Sequence, residues 1–281
     1  MDKILFWILK GIALIPILSH SKPQTSQDLK VTSGANNTLV FKGQGMTKIH
    51  DTTDITVGNG AGITFDLSSG SGLYFKDNFI TNAGATSTFI AGVNSIIRSD
   101  TINSGSVVTN RGEQNFVFNT NNASLRMINK NGELDKISTT TLGAITNIIF
   151  NSPNAFLIAS VETSGTRTNI EVAQNMRGNI LGKISTSGDG TYIVLRKGAA
   201  LGIGISSEHI NAGGSSISAI TSEGDGAMVD LAMTEQIHTN RSNKLLAINT
   251  EYSGTTTFNL YIDPKTNRYD QINSKNHRRR D

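Results

Sequence analysis

Few residues of this chain have the types and spacings that chemistry requires. The five histidines are His20, His50, His209, His238 and His277, and no two share a metal-binding spacing such as His-x-His or His-Glu-x-x-His. With no cysteine, thiol nucleophiles, disulfides and cysteine-ligated zinc are excluded. Serine is plentiful, but Gly-x-Ser-x-Gly is missing, and the nearest approach to Gly-Asp-Ser-Gly is Gly188-Asp189-Gly190-Thr191, which lacks the nucleophile. Gly58-Asn-Gly-Ala-Gly62 has neither the Lys-Ser/Thr of a phosphate loop nor a βαβ setting, and is read as a turn. Arg111-Gly112-Glu113 is not an Arg-Gly-Asp motif, and calcium-binding Gly-Gly-x-Gly-x-Asp repeats do not occur. The remaining chemistry is carboxylate chemistry. Asp66 and Asp77, or Glu208, Asp225 and Asp230, lie near enough in sequence to flank a glycosidic bond if folding brought them together. Their simpler reading is as solvated turn carboxylates. No catalytic residue, cofactor or metal is assigned.

The elements that would position such groups are strands. Of the 281 residues, 28 are Ser, 31 Thr, 28 Asn and 28 Gly, a makeup that favours turns and strands over helices. Only 17% are charged, so this is not the composition of a charge-rich disordered chain. Short apolar or alternating runs occur at Thr38–Phe41, Gly62–Leu67, Leu73–Phe75, Thr88–Ile90, Asn115–Phe118, Asn147–Phe150 and Ala155–Val161. Others follow at Thr191–Leu195, Ala227–Met233, Lys244–Ile248 and Thr256–Ile262. Ile63, Phe65 and Leu67 alternate with Thr64 and Asp66, and Phe258, Leu260 and Ile262 alternate with Asn259 and Tyr261. Each run has the period of two of a strand with one buried face. The best helix candidate, Met233–His238, is short.

Many short strands build either a sandwich or a solenoid. The even spread of Asn, Ser, Thr and Gly and the 6% aromatic content favour an all-β, right-handed parallel β-helix, although no strict repeat is legible. At ~20–25 residues per coil it would have about 10–12 coils and a length of about 50 Å.

Charge is concentrated at the ends. Residues 1–21 carry +1 and residues 275–281 carry +3 of the total +3, so the body carries −1 and has no broad footprint for nucleic acid. Residues 1–21 read as a cleaved signal peptide: Lys3, then the apolar stretch Ile4–Leu18, then Ser19-His20-Ser21 with small residues at −3 and −1. The apolar stretch is shorter than the ~20 residues a spanning helix needs, and no later segment replaces it, so no transmembrane helix is expected after cleavage.

The stretch 244–273 reads KLLAINTEYSGTTTFNLYIDPKTNRYDQIN. Gly254 precedes an alternating strand through Phe258 and Leu260; Asp263 and the polar loop Pro264–Tyr269 follow, and then Asp270, Gln271 and Ile272. This stretch resembles the end of the passenger domain of autotransporters, the type V secreted proteins of Gram-negative bacteria. Gly178-Asn-Ile, Gly188-Asp-Gly-Thr-Tyr-Ile-Val and Ala227-Met-Val-Asp-Leu look like passenger coils of the Helicobacter and Campylobacter style, including relatives of the vacuolating cytotoxin. The resemblance implies a signal peptide at 1–21, a β-helical passenger at 22–252, a passenger C-terminal cap or start of an autochaperone-like segment at 253–274, and a basic tail at 275–281. It makes Gly254, Phe258, Leu260, Asp263, Asp270 and Ile272 structural motif residues. The family continues into an autochaperone and a β-barrel translocator, which this chain lacks, so the expectation is a truncated or split passenger.

The implied function is a non-enzymatic surface or secreted passenger, adhesin- or toxin-like, with a host-cell surface glycan or protein as partner. It would lie at the cell surface or be secreted if a barrel is supplied, and would be periplasmic otherwise. The alternative is a β-helical polysaccharide-active enzyme, a lyase or glycoside hydrolase.

Overall fold

The computed structural model describes residues 38–42, 46–49, 55–58, 60–100, 107–187, 190–204, 215–231, 247–263 and 267–274. Every regular element among them is a β-strand, and nearly all the strands stack in parallel into a β-solenoid. No helix among the described residues is long and apolar enough to cross a membrane. The signal peptide, the helix candidate Met233–His238 and the basic tail lie outside the described residues.

A coil contributes strands to as many as three faces, and no third-face strand is described after β18. The first face has ten strands: β1 (Thr38–Lys42), β4 (Gly62–Leu67), β7 (Thr86–Ala91), β10 (Glu113–Phe118), β13 (Ile145–Phe150), β16 (Arg167–Val172), β19 (Thr191–Arg196), β21 (Ser215–Glu223), β23 (Ala247–Ser253) and β27 (Gln271–Ser274). The second has nine: β2 (Met46–Ile49), β5 (Gly72–Phe75), β8 (Ser95–Ser99), β11 (Ser124–Ile128), β14 (Ala155–Ile158), β17 (Arg177–Leu181), β20 (Ala200–Gly204), β22 (Ala227–Asp230) and β24 (Thr256–Asn259). The third has six: β3 (Ile55–Val57), β6 (Phe79–Thr81), β9 (Val107–Thr109), β12 (Lys136–Thr139), β15 (Ser160–Thr163) and β18 (Ile184–Thr186). Several coils are longer than the sequence reading assumed. The step between stacked residues runs from 22 (Ile145 to Arg167) to 33 (Ser215 to Ile248). The run Ala155–Val161 is two strands on different faces, β14 and β15, with the corner at buried Ala159.

Alternation sets the core. Ile63, Phe65 and Leu67 point inward and are buried, while Thr64 and Asp66 point outward. Because the strands are parallel and in register, like stacks on like: Phe65 on Phe89 and Phe89 on Phe116, with ring centroids 5.2 and 5.1 Å apart. Phe118 stacks on Phe150 at 4.8 Å. Aromatics are few in the whole chain, yet seven phenylalanines are fully buried and fill the earlier coils. From β13 onward the same column is aliphatic, through Ile148, Ile170, Ile193 and Ile220.

The corners reveal a repeat that the sequence hides. The turn from first to second face places a residue in the left-handed conformation in eight successive coils: Gly70, Asn94, Asn122, Asn154, Asn175, Gly198, Gly226 and Gly254. Asn and Gly are the residues that adopt positive φ at low cost. A small buried residue often follows, as in Asn122-Ala123, Asn154-Ala155, Gly198-Ala199 and Gly226-Ala227.

A second repeat lines the inside of the corner between third and first faces. Thr109 bonds Thr146 (2.7 Å), Thr146 bonds Thr139 (2.7 Å), Thr139 bonds Thr168 (2.9 Å), and Thr168 bonds Thr163 (2.7 Å). Thr163 then bonds Thr191 (2.9 Å), which bonds Thr186 (2.8 Å). A hydroxyl both donates and accepts, so a zigzag of threonines satisfies itself in a space closed to water. Thr168→Val keeps the shape but takes one hydrogen-bond partner each from Thr139 and Thr163, which retain Thr146 and Thr191. It should lower stability by about 1–3 kcal/mol, read as a lower urea midpoint; an unchanged midpoint would count against the ladder.

Candidate functional site

The described carboxylates singled out from sequence lie in different parts of the fold. Asp66 lies one residue before the end of β4 and accepts the Ser68 amide at 3.0 Å, whereas Asp77 lies beyond β5, across the second face. Asp225 is exposed in the turn before β22, and Asp230 ends that strand. The left-handed corner at Gly226 and the length of β22 lie between them. Glu208 and all five histidines lie outside the described residues, and no cluster of potential metal ligands occurs among the described ones. Gly58–Gly62 is a corner, as expected: Ala61 N donates to Gly58 O at 3.0 Å, and Gly60 is left-handed.

Asp230 departs from the reading of it as a solvated turn carboxylate. It is buried, and its Oδ2 lies 2.6 Å from an Arg177 guanidinium nitrogen, while Asn259 donates to its Oδ1 at 3.0 Å. Arg177 also donates to Asn179 Oδ1 at 3.2 Å. The register explains the long reach. Asn179, Gly202, Asp230 and Asn259 occupy one column of the second face, and the glycine leaves room for Arg177 to span the intervening coil. Sequence spacing gave no sign of this pair, because the two residues are 53 positions apart.

The six motif residues fall at the end of the described solenoid, where the side chain of Asp263 lies outside the described residues. Gly254 is the eighth member of the left-handed corner series, at φ 80°, and a Cβ there would sit 2.3 Å from Ser222 O. Phe258, Leu260 and Ile272 are half-buried and pack on the end of the core. Ile262 does not continue their inward row as expected. It is 59% exposed, because β24 ends at Asn259 and an antiparallel hairpin takes over. That hairpin pairs β25 (Ile262–Asp263) with β26 (Arg268–Tyr269), matching Ile262 to Tyr269 and Asp263 to Arg268. Buried Asp270 closes it, its Oδ2 accepting the Tyr261 amide at 3.0 Å while its own amide donates to Tyr261 O at 3.0 Å.

The most regular polar surface among the described residues is the outward side of the first face. One column runs Thr64, Thr88, Asn115, Asn147, Asn169 and Tyr192. Its amides form a ladder. Asn169 donates to Asn147 Oδ1 at 2.8 Å, and Asn147 donates to Asn115 Oδ1 at 2.9 Å and to Glu113 at 3.0 Å. Arg167 donates to Asn169 Oδ1 at 2.6 Å and lies 4.4 Å over the Tyr192 ring. Farther along, Arg196 bridges Glu171 (2.9 Å) and Glu223, and these carboxylates, Glu171 first, hold its proton more tightly than usual.

On the second face, Tyr74 donates to Asp100 Oδ2. That bond, with burial and the carboxylate's charge, raises the phenol's pKa above its usual value of 10.0, and the Arg98 charge opposes the shift. A raised folded-state pKa means that the contribution is complete below pH 10 and is lost as pH climbs through the raised value. Absorbance titration should show one late phenol that Tyr74→Phe removes. A wild-type profile that already lacks a late component would contradict this.

Comparison with known proteins returns no match: no family model, no curated relative and no solved structure.

Proposed function

We propose that this chain is an exported, non-enzymatic β-solenoid that displays a binding surface, a passenger of the autotransporter kind with an adhesin- or toxin-like role. The single observation carrying this reading is the amide ladder Asn115–Asn147–Asn169 on an outward face that repeats coil after coil. A regular, half-exposed polar row suits recognition by many weak contacts, and a solenoid presents it over a long surface. The named carboxylates support binding over catalysis, since Asp230 is held by Arg177 and Asp225 lies at the other end of β22. The second support is the closing motif from Gly254 to Ile272, in which Asp270 and the half-buried apolar residues finish the core. The right hand of the helix and removal of residues 1–21 belong to the same reading. Fractionation and protease shaving of expressing Gram-negative cells test it. Recovery outside the inner membrane with a new N-terminus near Lys22 is expected; full-length protein confined to the cytoplasm would refute export.

A further inference from the structure

The outward side of the first face carries a second column beside the amide ladder. Ile90, Val117 and Ile149 stack in register on β7, β10 and β13, each half-exposed. They stand two residues along the strands from Thr88, Asn115 and Asn147, so rail and ladder run side by side about 7 Å apart, with rungs about 4.8 Å apart. Ile145, 36% exposed, stands on the other side of Asn147.

We infer that this track binds a neutral, extended, β-linked glycan, an inference that rests on the binding-surface reading above. A pyranose offers a C–H face and a rim of hydroxyls. The aliphatic rail receives the first and the amides receive the second. The ladder holds the amides in place before any ligand arrives, because Asn115 and Asn147 each accept from the next coil, and this lowers the ordering cost of binding. Donors remain: Asn115 Nδ2 donates to no other described residue, and Asn169 Nδ2 has one hydrogen left after bonding Asn147. Charge selects against acidic glycans, since Asp66, Glu113, Glu171, Glu223 and Glu251 outnumber Arg167 and Arg196 among the described side chains of this face. The straight rungs select an extended chain over a helical one.

The test is calorimetric titration of the purified full chain with cellohexaose, chitohexaose, maltohexaose and a heparin hexasaccharide. Binding of at least one of the two β-linked neutral probes is expected. It should fall about tenfold or more in Asn115→Ala and Asn147→Ala, and measurably in Ile149→Thr, with Tyr74→Phe on the second face unchanged. Thermal melts of each variant separate lost binding from lost fold, and Asn115→Ala removes the least of the ladder. Binding to neither β-linked probe, preference for heparin or maltohexaose, or equal loss in Tyr74→Phe would each overturn the track. Export is measured on cells and binding on purified protein. A displayed chain that binds none of these probes therefore sinks this inference alone, and a binding chain that is never exported sinks the display reading alone.

Discussion

Asp230→Ala should cost about 1.5–3 kcal/mol, because it removes a buried carboxylate that accepts from the partly exposed Arg177 guanidinium. The loss extends beyond one bond, since Asn259 also loses its acceptor and three coils are held through this one carboxylate. Asp230→Asn keeps the shape and one acceptor, so it should fall between wild type and alanine. Double replacement by Arg177→Met and Asp230→Leu should recover much of the loss, because an apolar pair removes both charges together. Urea unfolding of the four proteins checks the order. Equal midpoints for Asp230→Ala and wild type would mean that the pair contributes nothing.

Phe89→Ala should cost about 3–5 kcal/mol, through the transfer and cavity terms of a fully buried aromatic. Phe89 lies between Phe65 and Phe116 in the stack and meets Phe79 edge-on at 5.4 Å. In a solenoid each coil touches only its neighbours, so the damage should concentrate in the coils around β7. Hydrogen exchange is the discriminating readout: amides of β4, β7 and β10 should lose protection, while those of β19 keep theirs. Uniform loss of protection along the chain would show a single cooperative core instead.

Much of the fold was legible because strand alternation is a local property. Gly62–Leu67 matches β4 end to end, and Thr191–Leu195 falls one residue short of β19. The parallel solenoid followed from the spread of Asn, Thr, Ser and Gly. The repeat stayed hidden because it resides in conformation and not in identity. The corner position accepts Asn or Gly, and coil lengths vary, partly through insertions such as the turn Asn129–Glu133, where Asn129 Oδ1 receives two amides. Asking for Asn or Gly before a small residue, and for a Thr followed five to seven residues later by Ser, Thr or Gln, would have exposed it at Thr81/Ser87, Thr139/Thr146, Thr163/Thr168 and Thr186/Thr191. Partners far apart in sequence, such as Arg177 with Asp230, depend on register across coils, and composition carries no trace of register.

The solenoid's register is the premise of every surface described above, and the absence of cysteine makes it directly measurable. Thr64 and Ala219 stand in one outward column, six steps apart through Thr88, Asn115, Asn147, Asn169 and Tyr192. Spin labels on cysteines introduced at these two positions should give a single dipolar distance near 29 Å, from six rungs of roughly 4.8 Å. A broad distribution, or a single distance far from this value, would contradict the stacked-coil account.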